Sequence, residues 1–246
     1  MTVLRPIVVV FGLLLLWQSI VWLTGAPPYI LPAPERVVAA WWRVSSSLLS
    51  NAGTTLLEIV LGIAIGALLG IASALTLSSF RRLRLWLLPV LVASQAVPVF
   101  ALAPLLVLWL GYGLASKVAM ATLIIYFPVT VSFFDGLRRT DPAWIDLARS
   151  MDASPWAILR HIRIPAALPA LASGLRVAVA VAPIGAVVGE WVGASAGLGY
   201  MMLHANGRMQ TDVMFAALLT LAVLSVALYF ATDIVLKRLL TWQPDR

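Results

Sequence analysis

Residues Asp141–Pro165 read DPAWIDLARSMDASPWAILRHIRIP, a polar and basic island set between long apolar runs. Asp141-Pro142 and Ser154-Pro155 each place a short side-chain acceptor directly before a proline. Such an acceptor bonds the first free amides of a helix, and the fixed φ of proline suits the first helical position. Two short helices are therefore predicted to start at Pro142 and Pro155. The first should end near Met151-Asp152-Ala153, and the second should close at Ile164, before Pro165. Ile145, Ala148 and Met151 would share one face of the first, and Trp156, Leu159 and Ile162 one face of the second. Helices this short are marginal alone in water, so they require a partner surface, either the rest of this chain or another subunit.

The island stands out because so little else is polar. Hydrophobic residues make up 62% of the 246 and charged residues 11%, and the mean hydropathy is +0.99. A soluble domain carries roughly a quarter charged residues. Too little polar surface remains to coat a globule, so the chain is read as an integral membrane protein. The net charge of +7 does not indicate nucleic acid, because the basic residues sit in short segments between apolar runs rather than on one face. There is no cysteine, which excludes disulfides and thiolate metal sites.

A helix needs about 20 apolar residues to cross the hydrocarbon. Six segments qualify: residues 7–23, 55–77, 85–110, 118–134, 166–188 and 213–236. No alternation of barrel strands is present, so the expected class is all-α. The expected organisation is one transmembrane domain over 1–246 with a cytoplasmic loop at 135–165. The first run carries Trp17 and Trp22 and ends in Thr24-Gly25-Ala26-Pro27-Pro28, which suits a retained span better than a cleaved signal. Arg5, Arg81, Arg82, Arg84, Arg138, Arg139, Arg149, Arg160, Arg163, Lys237, Arg238 and Arg246 fall on one side of these spans. Arg36, Arg43, Lys117 and Arg208 fall on the other. Basic residues mark the cytoplasmic side, which places both termini and the island there.

Residues 35–50, after Leu31-Pro32-Ala33-Pro34, are too polar to span and read as an interfacial helix anchored by Trp41 and Trp42. Gly62, Gly66 and Gly70 form a four-residue ladder, as do Gly185, Gly189, Gly193 and Gly197; small residues at that spacing let helix backbones approach. Pro89, Pro98 and Pro104 should kink or unwind the third span. Glu58 and Arg176 lie within apolar runs, where a structural ion pair, snorkelling and a place in a translocation path all remain open. Glu190 precedes the glycine-rich Gly193–Gly199 stretch, which permits a tightly turned chain, and is expected at an outer gate or at a contact with an external protein. His161 and His204 form no metal motif, and Ser195 with His204 reads as a polar turn rather than a catalytic pair.

The island resembles the cytoplasmic loop of permease subunits of bacterial ATP-binding-cassette importers. In that family the loop reads Glu-Ala-Ala, three residues, Gly, nine residues, then Ile-x-Leu-Pro. Asp146-Leu147-Ala148 stands at the first block, Asp152 at the glycine and Ile162-Arg163-Ile164-Pro165 at the last, with the same spacing. Asp146, Leu147, Asp152 and Ile164 depart from the family residues. Asp152 must adopt the left-handed turn that glycine adopts more easily. Leu31-Pro32-Ala33-Pro34, the triple-proline third span and Gly189-Glu190-Trp191 through Gly199-Tyr200 are similar to permeases of the nitrate, sulfonate and taurine type. Gly189–Asp212 is similar to those for pyrimidine precursors of thiamine.

The resemblance implies a homodimer in the bacterial inner membrane, with two cytoplasmic ATPase subunits and an extracytoplasmic substrate-binding protein. It implies that Asp141, Asp146, Leu147, Ala148, Met151, Asp152, Ala153, Trp156, Ile162 and Pro165 dock on the ATPase. Glu58, Arg176, Glu190, Gly193 and Gly197 would belong to the path or its gate. For Trp144 and Trp156 the reading as interfacial anchors is favoured over ATPase contacts. No phosphate loop of the Gly-x4-Gly-Lys-Ser/Thr kind is present, so ATP and Mg would be held by the partner subunit. The rival is a secondary transporter driven by an ion gradient, which needs inverted repeats and midplane ionisable groups.

Overall fold

The computed structural model describes residues 4–242, with side chains described from Val8 onward. The Arg5 side chain and Arg246, both counted in the charge asymmetry, lie outside the described residues. The described chain is helical: α1 (Leu4–Thr24), α2 (Pro34–Arg43), α3 (Ser45–Ser79), α4 (Arg81–Ser94), α5 (Val99–Leu110), α6 (Leu114–Arg138), α7 (Pro142–Ser150), α8 (Pro155–Ile158), a π-helical turn (Leu159–Arg163), α9 (Ile164–Gly193), α10 (Leu198–Gly207) and α11 (Thr211–Leu239).

At the centre stands α6, packed between α3 and α9. Side chains absent at glycine make both contacts possible. A Cβ on Gly66 would meet Ile125 at 2.9 Å and the Thr122 carbonyl at 3.1 Å, and one on Gly70 would meet Val129 at 2.9 Å and the Tyr126 carbonyl at 3.1 Å. The partners advance in the same direction along both helices, so α3 and α6 run parallel. Against α9 the order reverses: Gly189 meets Lys117, Gly185 meets Ala121, and Gly174 meets Ser132 and the Pro128 carbonyl. Ile59, Ile125, Val129, Phe133, Ala178 and Ala182 fill the slab between the contacts. Lipid provides no hydrophobic drive for helices to associate, so close backbone packing carries this core.

The sequence expectation of six separate spans is met in part. Four helices (α3, α6, α11 and α9 continued from Pro155) are long and apolar enough to cross a membrane. The expected third span is two helices, α4 and α5, bent by 99° at the break. Pro89 and Pro104 remain inside their helices, and the break falls at Pro98, which has extended backbone and no amide to continue the ladder. The first run contributes the shorter apolar helix Val8–Thr24.

Two boundaries and one anchor also differ. The interfacial helix stops at Arg43, and residues from Ser45 belong to α3. Trp41 is not an outward anchor: its Nε1 donates to Thr220 Oγ1 of α11 at 3.0 Å, while Trp42 alone stands out at 70% exposure. Arg43 adds an ion pair to Asp212 at 2.8 Å, so α2 is fastened to α11. Pro165 does not close the second hairpin helix either. The π turn carries the chain into α9, and the Ile164 amide bonds Leu159 O, five residues back. That wider register relieves the clash a proline ring makes with the carbonyl four residues earlier.

Gly66→Val should lower the unfolding temperature of the detergent-purified chain by several degrees, because over-packing costs about 1–3 kcal/mol. Nothing lies within 4 Å of a Cβ on Gly53, so Gly53→Ala should raise stability by about 0.5–1 kcal/mol through helix propensity alone.

Candidate functional site

Two constellations sit at opposite ends of the α3–α6–α9 slab. At one end, α7 starts as predicted: Asp141 caps it by accepting from the Ala143 amide at 2.9 Å. Ser154 Oγ likewise accepts from the Ala157 amide at 3.2 Å. At the end of α7, Asp152 takes φ +58°, the left-handed conformation anticipated from the glycine it replaces. The Ala153 amide then bonds Ala148 O at 3.0 Å and the Asp152 amide bonds Arg149 O at 3.0 Å, which satisfies two carbonyls of the last turn.

The faces differ from the periodicity expected. Ala148 is buried and Ile145 half-buried, but Met151 turns outward with Trp144 and Leu147, at 74%, 55% and 63% exposure. These three occupy one stripe at i, i+3 and i+7. On the second segment Leu159 is buried, Ile162 half-buried and Trp156 exposed, because one α turn followed by a π turn does not keep the 3.6-residue period. Trp144, Leu147, Met151, Ile162, Pro165 and Trp242 help line a groove of about 920 Å³. Asp146 points away, in an exposed ion pair with Arg149 at 3.2 Å.

At the other end, Glu190 and Glu58 are buried at 1% and 0% exposure. The Glu190 carboxyl accepts from the Gly199 amide, from the Tyr200 amide at 3.2 Å and from Thr55 Oγ1 at 2.6 Å. Thr55 Oγ1 accepts from the Leu198 amide at 2.8 Å, and Asn51 Oδ1 from the Gly197 amide at 2.7 Å. Four successive amides at the start of α10 are thus held by α3 and α9, with an acidic group where the helix dipole favours one. Gly197, at φ +116°, makes the turn possible, since a Cβ there would overlap the Glu190 carboxyl. One turn along α3, Glu58 faces Lys117 Nζ at 3.7 Å, and neither Glu58 oxygen has a hydrogen-bond partner among the described residues.

The predicted path residues therefore separate. Glu58, Glu190 and Gly197 gather beside α10. Gly193 instead packs on Val107 and Tyr112, and Gly197 lies beyond α9, so the second glycine ladder ends at Gly189 as a contact with α6. Arg176 pairs with Asp233 of α11 at 2.7 Å, and Asp233 also holds Lys237 at 2.9 Å. Sequence reading missed Asn51, Thr55, Lys117 and Asp233. Lys117, taken for a loop residue, lies buried in the first turn of α6. Asp233 was discoverable as an acid inside the last apolar run, four residues before Lys237; Asn51 and Thr55 carry no local signal.

The family model "binding-protein-dependent transport system inner membrane component" matches residues 62–241, and the chain belongs to that family. It is a multi-pass inner-membrane permease of the ATP-binding-cassette importer class. A probable ABC transporter permease protein of Haemophilus influenzae is 56% identical over 96% of both chains. A formylaminopyrimidine transport permease protein of Halalkalibacterium halodurans is 36% identical, covering 98% of this chain and 96% of that one. A riboflavin transport system permease protein of Chloroflexus aurantiacus is 38% identical, with coverage of 94% and 87%. Among solved structures, an inward-facing methionine ABC transporter chain matches with a TM-score of 0.69 at 20% identity, over 80% of this chain and 97% of that one, and shows the same fold. Nothing in these comparisons supports an ion-driven secondary carrier.

Lys117→Met should destabilise the chain by about 3–5 kcal/mol, since it strands a buried acid. Adding Glu58→Leu should recover most of that loss in thermal unfolding of the purified protein, and a double variant no better than the single would refute the pairing.

Proposed function

We propose that the α7 hairpin is the coupling element through which a separate ATPase subunit drives this permease. The observation that carries the reading is the stripe Trp144, Leu147 and Met151, turned to water on a segment otherwise bounded by charge and bordering the 920 Å³ groove. Three large apolar side chains in water are costly unless a partner covers them. Asp141, Asp152 and Ala153 set the shape of the hairpin. Ala148 seats it on the spans, Ile162 and Pro165 line the docking groove, and Asp146 and Trp156 are exposed at its margin, where Asp146 pairs with Arg149. In this assembly two copies of the permease meet two cytoplasmic ATPase subunits, which hold ATP and Mg, and an extracytoplasmic binding protein delivers the solute. Both termini and the hairpin face the cytoplasm, in keeping with the distribution of Arg and Lys.

At the outer end Glu190 and Gly197 hold α10 as part of the gate, with Glu58 paired to Lys117 one turn away and Gly193 seated on Val107 and Tyr112; Arg176 braces α9 against α11. The cargo is a small nitrogen heterocycle of the pyrimidine-precursor kind. The similarity to permeases named for formylaminopyrimidine and riboflavin supports this choice over a sulfonate.

The test is uptake of a labelled pyrimidine precursor into vesicles holding the permease with its cognate ATPase and binding protein. Uptake should require ATP, and uptake driven by a proton or sodium gradient alone would overturn the reading. Met151→Glu should reduce ATPase co-purification at least tenfold with normal membrane insertion. Asp152→Gly should leave transport intact, because glycine accepts the left-handed turn more readily.

A further inference from the structure

A second cavity, of about 360 Å³, opens on the other side of the hairpin, where the end of α6 meets α7 and the π turn. Arg138, Arg149 and Arg163 line it beside an apolar wall that includes Leu137, Ile145 and Ile158, and no acidic side chain lines it. Among the described residues Arg149 alone of the three has a carboxylate within reach, the exposed Asp146 at 3.2 Å. Arg163 is half-buried; its Nη2 donates to Ser78 Oγ at 2.8 Å and to Leu137 O at 3.0 Å, and its Nε donates to Leu137 O at 3.3 Å. Those bonds cap the end of α6 and leave its Nη1 without a hydrogen bond among the described residues. Arg138 lies over the Phe134 ring at 5.6 Å and has no carboxylate partner among the described residues. Arg84 adds a further like charge beside Arg163.

Orientation signalling explains basic residues at this level, but it requires neither a shared cavity nor an apolar wall. Guanidinium groups crowded without acids favour an anion among them, and their forked donors match phosphate. The cavity lies where the spans α6 and α9 end, the depth at which lipid headgroups sit, and basic pockets between helices at that depth hold anionic headgroups.

We propose that this cavity binds the phosphate of an anionic phospholipid of the cytoplasmic leaflet, with the apolar wall taking the start of its acyl chains. The inference rests on the proposed orientation of the hairpin but not on the transport reading. A bound lipid would join the end of α6 to the coupling hairpin.

The full-length permease in detergent, titrated with phosphatidylglycerol or phosphatidylcholine and read by native mass spectrometry, tests it without any transport assay. Phosphatidylglycerol should be retained preferentially. Arg138→Gln with Arg149→Gln should weaken its retention roughly 30-fold, the effect expected from removing two interfacial arginines, with phosphatidylcholine unaffected. Should the double variant not fold, Arg138→Gln alone, at an exposed side chain, gives the same readout at roughly fivefold. Unchanged phosphatidylglycerol retention would overturn the proposal. So would inorganic phosphate competing at equal concentration, which marks a free-anion site. Loss of ATPase co-purification by the variants at full phosphatidylglycerol occupancy would also overturn it, by assigning the arginines to an acidic protein partner.

Discussion

The architecture depends on how closely α6 approaches the helices on either side. Within a bilayer, apolar side chains gain nothing by leaving lipid for protein, so association rests on contact distance. Gly66 and Gly70 on α3, and Gly174 and Gly185 on α9, bring helix backbones to separations that a single Cβ would prevent. The result is a three-helix slab whose register is set at many points at once. A slab of that kind fixes the relative positions of the groups carried on its three helices.

The polar groups are placed where this slab ends. At one end, a buried acid takes the free amides of a short helix, and a lysine answers a second acid one turn away. Each charge is costly in such surroundings and persists because removing its partner would cost more. At the other end the balance is reversed: the hairpin satisfies its backbone through caps and a left-handed turn, and leaves apolar side chains exposed. The network around Glu190 is satisfied within the chain, whereas the hairpin leaves a stripe uncovered. That asymmetry supports the proposal that the hairpin transmits force from a separate driver.

The continuous passage from α8 through the π turn into α9 bears directly on that transmission. A hairpin separated from the spans by a flexible link would absorb displacement. Here the segment that carries Ile162 and Pro165 leads without a break into the helix that packs along α6, carries Glu190 and ends at Gly193. The proposed coupling would therefore run from the groove to Glu190 along one continuous helix, and from Glu190 to α10 through hydrogen bonds.

Composition and the proline-preceded caps were enough to establish a helical membrane protein, its polar hairpin and the left-handed residue within it, because each depends on bonds within a few residues or on the solvent around the chain. The faces of the hairpin, the bend at Pro98 and the uninterrupted helix through Pro165 were not legible, since each turns on which neighbour accommodates a proline or covers a side chain. The partners of Glu58, Glu190 and Arg176 come from α6, from the start of α10 together with α3, and from α11. Only the packed structure brings those groups together, because the energy of a buried charge is determined by distance in space and local sequence carries no record of it.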